Sequence, residues 1–206
     1  MAASAILPDP VDWSGDNPCI YLREREEGPY SALASWFRVA ASRYGAGHVL
    51  VMVADPLRGA VWPEVATFCL ADNLPLARDL VARFVTRFAA FRDLPALASL
   101  PYLPLDSHET SGDGLHVSRI VAHGSAIEVD LLWNALGTPF LVDLPPEGSA
   151  TGLHRMLSVF SESTDAAIIV NGQRLPGRPF PRPFLGQTMS SAFLASSETW
   201  LGAGAA

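Results

Sequence analysis

The sequence predicts an α+β fold: a largely antiparallel sheet of about six strands with two amphipathic helices packed on one face. Three observations carry that expectation. Two stretches repeat apolar residues at three- and four-residue spacing, as a one-sided helix does. Several short β-branched runs have the length of strands. From residue 115 onward such runs succeed one another with turn residues between them, and consecutive hairpins build antiparallel sheets.

Residues 1–17, rich in Pro, Asp and Gly, read as a flexible lead-in to one domain over 18–206. Residues 19–23 suit a short strand. Gly28-Pro29-Tyr30-Ser31 then offers a helix start, and Leu33, Trp36, Phe37, Ala40 and Tyr44 form one stripe, predicting a helix over 31–44 that Gly45 and Gly47 stop. The run 48–54 is a buried strand that ends at Asp55-Pro56. A second helix is expected over 76–91, where Leu76, Leu80, Phe84, Phe88 and Phe91 share a stripe and Arg83 and Arg87 look outward to solvent. Pro95 closes it, and 101–114 reads as a long loop.

Beyond that loop, 115–123 and 126–133 flank Gly124-Ser125, a two-residue hairpin turn that would set Arg119 opposite Asp130. Further strands are expected at 153–162 and 166–170. Asn171-Gly172 is the strongest short hairpin signal, since both residues tolerate positive φ. Four prolines make 175–185 an extended loop, and 190–200 alternates as a last strand.

Composition sets exclusions. In 206 residues, 49% are hydrophobic and 17% charged, the balance of a packed globular chain with surface to spare for a homo-oligomer interface. No apolar run approaches the roughly 20 residues of a bilayer span, and the first residues lack the basic start of a secretory signal, so a cytoplasmic protein without membrane partners is expected. Cys19 and Cys69 have no paired spacing and are expected as buried free thiols. A net charge of −7 with scattered arginines argues against nucleic acid. All 14 basic residues are arginine. Without a lysine amine there is no Schiff-base chemistry and no P-loop grip on phosphate, which removes PLP enzymes, class I aldolases and Walker-type NTPases. No organic cofactor and no metal site is expected, because neither dinucleotide glycine patterns nor metal-ligand spacings occur.

Within these bounds the candidates are polar residues in unusual settings. Glu198 sits in a strand whose two faces are both small or apolar; counted by alternation, it shares a face with Ala192, Leu194, Ser196 and Trp200. A buried carboxylate is costly unless paired, and its raised pKa suits acid–base work. Glu162 is a similar case at another strand end. His108, beside Asp106 and Glu109 in the long loop, is a second proton-transfer candidate. Arg119, Glu128 and Asp130 share one hairpin face and either grip a polar ligand or form an exposed ion pair. The strip from Arg174 through Arg178 and Arg182 to Phe184 interleaves arginines with aromatics; it either binds an anion or covers a sheet edge. The expected protein is therefore a small-molecule enzyme or ligand-binding protein. Glu198, His108 or Glu128 would move protons, and Arg119 or Arg178 would orient an anionic ligand between the sheet and the loops at 101–114 and 172–188. The rival expectation is a non-catalytic oligomerisation or accessory module with a largely apolar interface.

Overall fold

The structure, a computed structural model, describes residues 9–202. Within them the chain is mostly strand, which overturns the expected six strands and two helices. The order is β1 (Val11–Asp16), β2 (Cys19–Arg23), β3 (Tyr30–Ser42), β4 (Gly47–Ala54), β5 (Thr67–Ala71), α1 (Leu74–Arg83), β6 (Tyr102–Pro104), β7 (Ser107–Gly112) and β8 (Ser118–Gly124). Then come β9 (Ile127–Leu136), β10 (Phe140–Leu144), β11 (His154–Val170), β12 (Gln173–Arg174), β13 (Pro181–Phe184), β14 (Gln187–Ser190) and β15 (Ala192–Gly202). Thirteen strands form one sheet, and β13 and β14 form a separate hairpin. The sheet is mixed, because β5 and β6 pair in parallel.

The largest correction is at 31–44, which is strand β3 and not a helix. Leu33, Phe37 and Val39 enter one core while Ala32, Ala34 and Trp36 enter another. A strand buried on both faces loses its polar alternation, and apolar residues on both parities mimic helical spacing by coincidence. The second expected helix is shorter than 76–91. Asn73 caps α1 by accepting the Leu76 N–H at 3.2 Å, with Pro75 in the first turn. After Arg83 the backbone tightens into a 3-10 turn over Val85–Arg87, where two β-branched residues adjoin. Phe84 and Phe91 still reach the core that α1 covers.

The sheet path runs β6-β5-β4-β3-β1-β15-β11-β9-β8-β7. Its far end folds back over its beginning, so that Leu50, Met52, Phe68 and Leu70 pack with Ile120, Val129, Leu131 and Trp133. The Trp133 indole N–H donates to the Cys19 carbonyl at 3.0 Å across this layer. The middle strands thus separate two cores: a helix-side core beneath α1 and a strand-side core beneath β8 and β9.

Other differences are local. Val11–Asp16, expected from sequence to be lead-in, is a strand paired to both β3 and β15, while the first eight residues of that lead-in lie outside the described residues. After a break at Asn17-Pro18, β2 continues on the same two neighbours. The expected loop at 101–114 contains β6 and β7, and the expected strands at 153–162 and 166–170 are one long strand, β11. In the β8–β9 hairpin Gly124 pairs with Ile127, so Ser125-Ala126 is the turn and Arg119 faces Leu132, one step diagonal from Asp130. At Asn171-Gly172 both residues do adopt positive φ, 49° and 76°, and close the β11–β12 hairpin. No helix among the described residues is long and apolar enough to cross a membrane.

Candidate functional site

A line of irregular pairing crosses the middle of the sheet, and Glu198 lies on it. Between β1 and β3 the register shifts at Ser14/Gly15. Between β11 and β15 it shifts again: Val159 pairs Ser196 and Leu157 pairs Thr199, leaving Ser197 and Glu198 opposite Ser158 alone. That two-against-one arrangement is a β-bulge, and Ser197 takes a left-handed φ of 52° to make it. The Ser197 N–H is not lost, because it donates to Asp16 Oδ1 at 3.0 Å. The bulge changes which face Glu198 looks onto. Simple alternation groups Glu198 and Trp200 with Ala192 and Leu194, but past the bulge they join Phe193 and Ala195 on the helix side. Gly15, paired with Glu198, has no room for a side chain: a Cβ there would stand 1.9 Å from the Arg38 carbonyl oxygen.

On that face the helix-side core is not filled. A cavity of about 240 Å³ opens among Tyr21, Met156, Phe160, Phe193 and Trp200, with Phe88 and Phe184 at its rim. Glu198 lines it and is 3% exposed. Its Oε1 accepts the Trp200 indole N–H at 2.6 Å. Burial pushes the Glu198 pKa up to about 8, against the pull of Trp200 and the Ser158 hydroxyl and with a smaller push from Asp16. At neutral pH the group is mostly a carboxylic acid, with an O–H to give.

The cavity also holds a cation. Arg182 of β13 lays its guanidinium over three rings: Tyr21 at 5.9 Å, Phe184 at 5.2 Å and Phe193 at 5.3 Å. Its Nε is buried and has no hydrogen-bond partner, and among the described residues no carboxylate pairs with it. Cys19, Asn17, Tyr21 and Tyr30 add further polar groups to the lining. The Cys19 thiol is pushed up to about 12, mainly by burial, and the Tyr21 phenol is raised for the same reason. Neither is a nucleophile at physiological pH.

The remaining candidates lie elsewhere. Trp200 and Glu198 belong to the cavity; Glu162 lies farther along β11, where its Oε2 accepts the Ser190 N–H at 2.9 Å. His108 stands on the other side of the middle strands, its ring 5.4 Å from that of Trp36 and 4.0 Å from that of His48. Burial holds the His108 pKa below its usual value, and His48 adds to that effect. Arg119 and Asp130 form a two-point ion pair at 2.9 and 2.8 Å on the outer face of the hairpin. Glu128 is exposed, 3.4 Å from His123 Nδ1. Arg178 is exposed over the Phe180 ring, and its backbone bridges to Arg23. So the arginine that enters the cavity is Arg182 of the same strip. Arg182 lies in β13 opposite Met189, whereas Arg178 lies outside that strand and bridges to Arg23, and no single-residue signal announces the difference.

A second cluster escaped sequence reasoning because its members are far apart in the chain. His154 Nε2 is 2.7 Å from Asp12 Oδ2, Thr151 Oγ1 is 2.8 Å from His154 Nδ1, and Arg83 Nη2 is 2.7 Å from Asp12 Oδ2. Hydroxyl, imidazole and carboxylate in that order resemble a nucleophilic relay. Here, however, Thr151 Oγ1 also accepts the Leu153 and His154 N–H groups and is buried in its turn. With its acceptor sites occupied and its proton directed at His154, the hydroxyl has no free face to attack from. Burial works to raise the Asp12 pKa, and Arg83 and His154 more than offset it; burial holds the His154 pKa down despite Asp12. The cluster is a clamp joining β1, β11 and α1. Its imidazole stands behind the cavity, 6.1 Å from the Trp200 ring.

Comparison of the chain with protein-family models, with curated proteins and with solved structures finds no match.

Proposed function

We propose that this chain binds a small, largely apolar molecule in the helix-side cavity and that Glu198 is the group that acts on it. In this reading it is a small-molecule enzyme or ligand-binding protein working by carboxylic-acid chemistry, with no organic cofactor. The observation that supports it is a buried glutamic acid turned by a β-bulge into an apolar cavity that the side chains leave open. A carboxyl in a core is ordinarily selected against, and strained bulges that re-aim a side chain concentrate at sites. As an acid, Glu198 can donate a hydrogen bond or a proton to an acceptor atom such as a carbonyl oxygen. His108, on the far side of the middle strands, takes no part.

The test is a thermal-shift screen of small acids, amides, ketones and alcohols against the chain and its E198M variant, which keeps the length of the side chain and removes its hydrogen-bond donor, repeated by monitoring intrinsic tryptophan fluorescence. Ligands that raise the melting temperature of the parent chain and bind the variant more weakly are expected. A screen in which the same compounds bind both proteins equally would remove Glu198 from the site.

One observation favours the assembly reading as a second one. Strand β10 pairs with β11, and Leu141 and Phe140 on it are 70% and 40% exposed. Light scattering at micromolar concentration separates the two: a stable dimer that L141E dissolves supports assembly through this strand.

A further inference from the structure

Resting on the reading that the cavity holds a ligand, we infer that its ligand class is a compact apolar carboxylate, an aryl or medium-chain carboxylic acid whose carboxylate is received by Arg182. A guanidinium carries five N–H donors and is charged at every physiological pH, so one held against apolar rings normally finds an anion. Arg182 instead has aromatic faces, a buried Nε without an acceptor, and no carboxylate partner among the described residues. The rings fix the plane of the guanidinium without using its in-plane donors. That leaves the planar fork free for two parallel N–H···O bonds, the geometry a carboxylate matches.

The rest of the cavity sets the remainder of the molecule. Its walls are mostly aromatic, thioether and aliphatic side chains, so the body of the ligand beyond the carboxylate is largely apolar. A cavity of roughly 150 Å³ takes one benzene ring; on that scale 240 Å³ takes about ten non-hydrogen atoms. A phosphate fits less well, since its second charge would face a single arginine and no other cation among the lining residues. Glu198, as a neutral acid, does not repel a monoanion, and it offers its proton to the ligand's carboxylate or to an acceptor farther along.

Octanoate and phenylacetate, each of ten non-hydrogen atoms, are the probes, with octanamide and phenylacetamide as uncharged counterparts. Calorimetric titration of the full chain is expected to show the acids binding roughly 10- to 100-fold more tightly than the amides. Arg182→Met, which keeps the apolar stem, is expected to lose that difference by weakening the acids alone. Arg182→Lys, which keeps charge but not the fork, is expected to fall between. If the methionine variant does not fold, the acid-to-amide ratio on the parent chain and the lysine variant decides. Equal binding of acids and amides, or an unchanged ratio in the variants, overturns the carboxylate assignment while leaving the cavity as a binding site. Absence of binding by all four probes at millimolar concentration overturns both.

Discussion

The two cores share the middle strands yet are finished differently. On the strand side, β3, β4 and β5 present Trp36, Leu50, Met52, Phe68 and Leu70 to a second layer that fills the space with Ile120, Leu131 and Trp133. The indole nitrogen of Trp133 is satisfied, and the side chain is fully buried. On the helix side, the strands present an equally apolar face, but the covering layer is one short helix continued by irregular chain. There the packing stops short, and the unfilled volume collects a glutamic acid, an arginine with no carboxylate partner among the described residues, and a buried thiol. Close packing is what a core achieves when sequence serves stability alone, and a cavity with titratable groups is where that aim has been relaxed.

The contrast can be broken by truncation on each side. Trp133→Ala is expected to cost about 3–5 kcal/mol in urea unfolding, because a filled core relaxes little around a large void. Phe184→Ala, at the half-exposed rim of existing empty space, is expected to cost about 1 kcal/mol. Comparable losses from the two would mean that the helix-side cavity is packed in solution.

The smallest expected effect concerns the bulge that separates the two patterns. Ser197 holds a φ of 52°, where a Cβ is strained and glycine is not. Ser197→Gly is expected to stabilise the chain by about 0.5 kcal/mol in the same assay. Destabilisation instead would show that β15 runs straight there, and that Glu198 looks back toward Ala192 and Leu194.

Legibility in the sequence divides along the same line. Strand β2, strand β4, the Asn171-Gly172 turn and the last strand announce themselves through local chemistry: β-branched runs, and residues suited to positive φ. Strand β3 does not, because burial on both faces erases the alternation that distinguishes strand from helix. Glu198 stands out as a carboxylate among small apolar neighbours, and it does line the cavity. The face it uses is not legible, because the positive φ falls on a serine and leaves no glycine or asparagine as a mark. Arg182 is visible as one of three arginines in a proline-rich strip, but only its place in the fold, in β13 opposite Met189, distinguishes it from Arg178, which lies outside that strand against Arg23. The Asp12–His154 contact spans 142 positions, beyond any local pattern.

Burial of Glu198 as an acid has a direct thermodynamic signature. Its pKa rises from an ordinary value near 4.5 to about 8 in the folded chain. Between those values the folded state keeps a proton that the unfolded state has released, so stability is greatest at low pH and falls as pH rises through the window. The measurement is the unfolding free energy of the parent chain and of E198Q from pH 5 to pH 8, taken as a difference so that all other titrating groups cancel. The parent chain is predicted to lose on the order of 3 kcal/mol relative to the variant across that range. A difference that stays flat, or that grows in the parent's favour with pH, would place Glu198 in water or beside a cation and contradict its burial as an acid in the cavity.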